Sequence, residues 1–234
     1  MIRFKSFIFS ITAIAILFVS CQSDNYTLSD QVEQRLVFQQ YHISYDANTE
    51  LLHATARFSL NNPTGITLKL AKKSRINWNN EELSGKSTTD DGYIYTLNKK
   101  IPYPEKSTFE YINNDGKIFS NEPYIPFFEI NESGTISIDR EKGAVLSYTG
   151  KKFREEELLF CSLFQNNELV STFEPDIPEG KTITISTNVL YNLKPGNYTC
   201  RFTRSYSSSD IRALDRGGWY DSEYLSKTTD LKIY

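Results

Sequence analysis

The 234-residue chain predicts an all-β protein, two tandem β-sandwiches behind a signal peptide and a short tether. Three observations carry that expectation. Aromatic residues are plentiful, with 15 Phe and 15 Tyr against one Met, a composition that suits pleated surfaces better than helices. Short period-two runs recur roughly every 8–12 residues with turn signals between them, while no long stretch keeps a period of about 3.6. Pro123 and Pro126 interrupt the pattern midway, since prolines so placed cannot sit inside a central strand, and the same alternation restarts after them.

Taken in order, the chain opens on Arg3 and Lys5, then an apolar-to-small run from Phe7 to Val19, then Ser20-Cys21. A basic start, an apolar stretch and small residues before a cut mark a secretory signal peptide. The run, about 13 residues, is shorter than the ~20 a membrane-spanning helix needs. With a cysteine directly after the small residue, the segment resembles a bacterial lipoprotein signal, although Phe18 stands where that pattern usually has Leu. The resemblance implies removal of residues 1–20 and lipidation of Cys21 by fatty acid such as palmitate. Gln22 is not the aspartate associated with inner-membrane retention, so the resemblance also implies an outer-membrane address, on the periplasmic face or the cell surface. Several acyl chains on one residue anchor stably, since each buried methylene contributes ~0.8 kcal/mol.

Residues 21–34 have no apolar period and read as the tether. A first sandwich is expected over 35–124. Val37, Gln39, Tyr41, Ile43 and Tyr45 form one face of an alternating segment, and Leu52, Ala54, Ala56, Phe58 and Leu60 form the next. Asn61-Asn62-Pro63-Thr64-Gly65 is a turn cluster. Ile66, Leu68 and Leu70 alternate, Ile76-Asn77-Trp78 follows, and Tyr93 to Leu97 is a further strand. Phe109 to Ile112, Asn113-Asn114-Asp115-Gly116 and Lys117 to Phe119 spell a hairpin, because Asp-Gly supplies the positive φ angles of a tight turn.

The boundary falls near 123–127, and a second sandwich is expected over 125–234. Its strands are Thr135–Asp139, Ala144–Thr149, Leu158–Gln165, Leu169–Phe173, Lys181–Thr187, Tyr198–Arg204 and Asp230–Tyr234. The run Lys181 to Ile185, with Leu190, Leu193 and then Lys194-Pro195-Gly196-Asn197-Tyr198-Thr199-Cys200, resembles the E-to-F corner of immunoglobulin-like and fibronectin type III-like domains. In those folds a tyrosine two residues before the F-strand core position ties the corner down, the place Tyr198 holds here. No Trp lies between Cys161 and Cys200, which separates this half from antibody domains. The whole chain resembles exported bacterial lipoproteins with tandem immunoglobulin-like modules.

Composition and motifs narrow the chemistry. Losing residues 1–20 removes Arg3 and Lys5 and no acid, which takes the formal charge from −3 to −5. Nucleic acid is not an expected partner of such a chain. Cys161 and Cys200, on neighbouring strands C and F, are open to two accounts, a disulfide or two buried free thiols. His42 and His53 alternate away from the apolar faces, with no carboxylate or thiolate fixed beside them, so no metal site is expected. There is no Gly-x-Ser-x-Gly elbow, no His-Glu-x-x-His and no other catalytic motif, and no cofactor is implied. Abundant carboxylates leave an exported hydrolase as a remote alternative. Ser205 to Thr229 reads as a connection of about 25 residues, a length more often functional than not. Within it Gly217-Gly218 would bend the chain to present Trp219 and Tyr220 beside Arg212 and Arg216, a set suited to sugar stacking or a protein hot spot, unless Trp219 plugs the sandwich end. Trp78 is a similar candidate on the first sandwich. The expectation is therefore a non-enzymatic binding module, lipid-anchored through Cys21, for a glycan or an envelope protein. The rival is a structural subunit of an envelope complex.

Overall fold

The computed structural model describes residues 25–178 and 180–234, so the signal peptide and Cys21 lie outside the described residues. The fold is all-β, two immunoglobulin-like sandwiches joined through one sheet. The first half holds β1 (Tyr26–Leu28), β2 (Val37–Asp46), β3 (Leu51–Leu60), β4 (Thr67–Lys69), β5 (Arg75–Trp78), β6 (Glu81–Glu82), β7 (Ser84–Thr88), β8 (Gly92–Lys100), β9 (Phe109–Ile112) and β10 (Ile118–Asn121). The second holds β11 (Phe128–Ile130), β12 (Ile136–Ile138), β13 (Ala144–Gly150), β14 (Glu157–Gln165), β15 (Glu168–Phe173), β16 (Thr182–Ile185), β17 (Gly196–Ser208), β18 (Gly218–Leu225) and β19 (Thr229–Ile233). Among the described residues the α-helix is the four-residue turn Thr187–Leu190.

In the first half β2, β3, β8 and β7 lie side by side and face the smaller sheet β10-β9-β5-β6. The expected faces of β2 and β3 point inward: Val37, Tyr41, Ile43 and Tyr45 pack against Leu52, Ala54, Ala56 and Phe58, all buried. Tyr41 stacks on Phe109, with ring centroids 4.9 Å apart, and Phe58 meets Tyr111 at 4.5 Å, so aromatic rings fill the space between the sheets. The Asp-Gly hairpin forms as expected, with Gly116 at φ 82° and β9 antiparallel to β10.

In the second half β11-β13-β16 faces a sheet in which β14 pairs with β15 and β17, and β17 pairs with β19. Tyr198 donates its hydroxyl to the Lys194 carbonyl at 2.7 Å, which is the tyrosine corner expected from the sequence. Cys161 and Cys200 do lie on adjacent strands, β14 and β17, but both are buried free thiols, so the disulfide is not formed. The register explains this: Cys161 opposes Phe202 and Cys200 opposes Leu163, a diagonal arrangement rather than a directly facing pair.

Two expectations are corrected. The stretch read as a tether is docked from Tyr26 onward. β1 pairs in parallel with β4, and buried Ser29 accepts from the Ala71 N–H at 2.9 Å and from Asn114 Nδ2 at 3.1 Å. Three residues of backbone pairing carry no apolar period, so the sequence did not announce it. The stretch read as a long connection, 205–229, contains the strand β18. It pairs antiparallel with β17 on one side and parallel with β2 on the other, over Gly218↔Gln39 to Leu225↔Asp46. A strand of the second half thus closes the gap between the halves, and β15-β14-β17-β18-β2-β3 is one continuous sheet.

Candidate ligand cleft at the junction of the two halves

The junction is built on rings. Tyr224 of β18 meets Tyr45 of β2 at 5.8 Å, Tyr103 at 5.7 Å and Phe127 at 5.0 Å, so side chains from both halves form one cluster. Tyr224 donates to the Glu129 carboxylate at 2.7 Å, and burial pushes its phenol well up. Tyr103 donates to the Ile125 carbonyl at 2.9 Å, and Ser222 donates to the Tyr124 carbonyl at 2.6 Å. These bonds fix the segment that crosses between the halves. Its prolines, Pro123 and Pro126, keep it extended and out of either sheet.

Beneath this segment Arg204 of β17 is fully buried and paired with the equally buried Glu157 of β14. Its remaining N–H groups reach the carbonyls of Phe127 (3.1 Å), Lys151 (3.0 Å) and Lys152 (3.2 Å), and its guanidinium lies 3.9 Å from the Phe153 ring centre. One side chain therefore holds the crossing segment and the chain after β13 in register. Gly150 lets them approach: a Cβ there would sit 2.5 Å from the Phe127 carbonyl oxygen.

Above the crossing segment opens a cleft of about 500 Å³, lined by Tyr103, Glu105, Tyr124, Phe127, Lys151 and Lys181 among others. Its size is that of ordinary small-ligand pockets, ~300–1,000 Å³, and such pockets favour domain junctions. Tyr103 and Phe127 are half-buried, with ring centres 5.2 Å apart. The Tyr103 phenol is pushed up to about 12 by burial, and burial likewise raises that of Tyr124, so both stay neutral hydrogen-bonding groups. The Tyr124 ring carries cations: Arg154 lies 4.3 Å and the Lys151 ammonium 5.1 Å from its centre. Lys151 and Lys181 are exposed.

The residues singled out from the sequence fall elsewhere. Trp219 and Tyr220 are neighbours on β18 and therefore point to opposite faces. Tyr220 is buried against Tyr206, whereas Trp219 lies half-buried on the outer face, edge-on to Phe38 at 5.3 Å. They are not presented together. Arg212 and Arg216 are exposed before the strand, and the Arg212 backbone is clamped by Asn121 at 2.6 and 3.0 Å. Trp78 is a core residue, 2% exposed, donating to Ser107 Oγ at 2.6 Å. His42 and His53 sit on the outer face of the sheet, in diagonal register. Among the described residues no group of three or more His, Cys, Asp or Glu side chains could hold a metal ion.

No protein-family model and no curated protein matches the chain. Among solved structures the matches are weak. The titin immunoglobulin tandem A164-A165 is 13% identical at a TM-score of 0.23, over 85% of this chain and 95% of that one. A Bacteroides ovatus surface protein, SGBP-B of a mixed-linkage glucan utilization locus, solved with a heptasaccharide, is 10% identical at 0.24, over 80% of this chain. The chain spans 54% of that protein. A bacterial ice-binding adhesin is 11% identical at 0.22, over 84% and 66%. Similarity this loose carries nothing about ligand or partner.

Sequence reading missed the cleft residues. Pro102, Pro104, Pro123 and Pro126 mark two strand-free segments, but no local signal says that those segments meet. For β18 a signal existed: Tyr220, Ser222 and Tyr224 alternate with Asp221 and Glu223.

Proposed function

We propose that the protein is a non-enzymatic binding module, exported and held at the outer membrane by lipid on Cys21, whose ligand enters the junction cleft. The observation that carries the reading is the cleft itself, since its walls come from both halves and converge on Tyr103, Tyr124 and Phe127. Fixed rings with a few charged groups at the rim suit recognition of a glycan or of a protein segment. The membrane reading rests on the sequence of residues 3–22 alone.

A second reading, a structural subunit of an envelope complex, is favoured by one feature. The edge strand β15 has no partner beyond β14 among the described residues, and Leu169 (60% exposed), Val170 (45%) and neighbouring Leu158 (51%) are open to solvent. One experiment separates the two. Lipidated protein would be recovered from detergent extract and its captured glycans and proteins identified, for the wild type, Tyr124→Ala and Val170→Lys. The cleft reading expects capture to fail in Tyr124→Ala with an unchanged melting temperature. Capture lost only in Val170→Lys would move the function to the sheet edge. Equal labelling of wild type and Cys21→Ser by a tagged palmitate would sink the anchoring.

A further inference from the structure

The cations around the cleft stand out in a chain whose formal charge is negative. Lys151 and Lys181 line it, Arg154 lies over Tyr124, and Lys152 adjoins Lys151. Among the described residues none of these four belongs to an ion pair, whereas Arg201 pairs with Asp46, Lys99 with Glu81 and Lys142 with Asp139. Glu105 is the carboxylate on the lining, and Glu155 and Glu156 lie on the turn after Arg154. Lys181 is brought beside the strand leading to Lys151 by sheet pairing: Ser147 opposes Thr182, and the Tyr148 N–H donates to the Lys181 carbonyl at 3.0 Å. Lys151, just after β13, and Lys181, just before β16, are thus held together on the cleft lining, with the Lys151 ammonium over the Tyr124 ring.

We infer that the cleft takes an acidic saccharide, with its carboxylate or sulfate between Lys151 and Lys181 and a pyranose ring against Tyr103, Tyr124 and Phe127. A sugar ring has an apolar C–H face, which an aromatic wall removes from water, and a rim of hydroxyls, which the Glu105 carboxylate on the lining can accept from. The anion supplies what the unpaired lysines lack. A neutral sugar would leave that charge uncompensated, and a long peptide would have to fold into a short cleft. The inference rests on the reading of the cleft as the ligand site.

The test is binding of the full chain, purified in detergent, to an array of uronate, sulfated and neutral oligosaccharides and polyglutamate, followed by titration of the strongest acidic member. Acidic members should be retained. The double variant Lys151→Gln/Lys181→Gln, altered only at exposed positions, should bind roughly ten-fold more weakly, as should the wild type toward the methyl ester or desulfated form. Added salt should weaken wild-type binding more than that of the double variant. Retention of neutral members alone, lost in Tyr124→Ala, would overturn the acidic assignment and leave the cleft intact as a binding site. Retention of polyglutamate alone, or of acidic sugars equally by wild type and double variant, would overturn the inference. An acidic sugar bound by Tyr124→Ala and by the double variant as tightly as by the wild type would also remove the cleft as the site.

Discussion

Arg204 shows what a single residue can organise. Its guanidinium is fully buried, satisfied by one carboxylate and three backbone carbonyls drawn from segments far apart in sequence. A buried pair adds little net stability against an apolar substitute, but removing one partner strands the other, at a cost of about 3–5 kcal/mol. The two partners are not equivalent here. Glu157→Gln removes the counter-charge and leaves an amide able to accept from the guanidinium. Arg204→Met strands the carboxylate and the carbonyls of Phe127, Lys151 and Lys152 together. Urea unfolding should therefore rank Arg204→Met as the more damaging change, and the reverse order would mean that the carbonyls find water. The sequence had flagged Tyr198 and Cys200 at this scale, because the two sit at a fixed offset within one motif. It could not flag Arg204, whose partners are set by where two strand-free segments meet the start of β14.

At the scale of elements, β18 decides how the halves relate. Its parallel pairing with β2 begins at Gly218, where a Cβ would fall 2.1 Å from the Gln39 carbonyl oxygen. Gly218→Val should push the start of β18 away from β2 and cost about 1–3 kcal/mol, the usual range for overpacking. Amide hydrogen exchange should quicken across 39–46 and 218–225 while β14 keeps its protection. Unchanged exchange in both segments would show that the pairing tolerates the side chain. Most strands were legible beforehand: the alternation of β2 and β3 names their buried faces, and the ranges expected for β14 and β17 fall within the observed strands. β1 and β18 were not, for different reasons. The first is too short to show a period, and the second carries one that was outweighed by the glycines and charges before it.

For the whole molecule, contacts between the halves include charge as well as rings. Arg201 of β17 pairs with Asp46 of β2 at 2.6 Å, both side chains partly exposed. Burial works against the Asp46 carboxylate, but Arg201 and the N–H groups of Asn48 and Thr49 together hold it below its ordinary 3.8. A carboxyl depressed in the folded state contributes stability that is fully present above the unfolded value and is lost as pH falls through the folded one. The melting temperature of Asp46→Asn should accordingly lie below that of the wild type at neutral pH, and the gap should close as pH falls below the ordinary carboxylate range and the Asp46 carboxyl takes up its proton. A gap independent of pH would mean that the pair contributes nothing across the junction.

By itself the sequence determined the strand content, the inward faces of the long strands, the hairpin at Asp115-Gly116 and the tyrosine corner. Each depends on a period of two or on a turn residue within a few positions of its partner. Tertiary structure alone decided the shared sheet, the docking of residues 26–34, the burial of Trp78 and Tyr220, and the cleft. Those features pair segments as distant as Gln39 and Gly218, or Tyr103 and Lys181, and such pairings follow from global packing of the faces rather than from any local pattern.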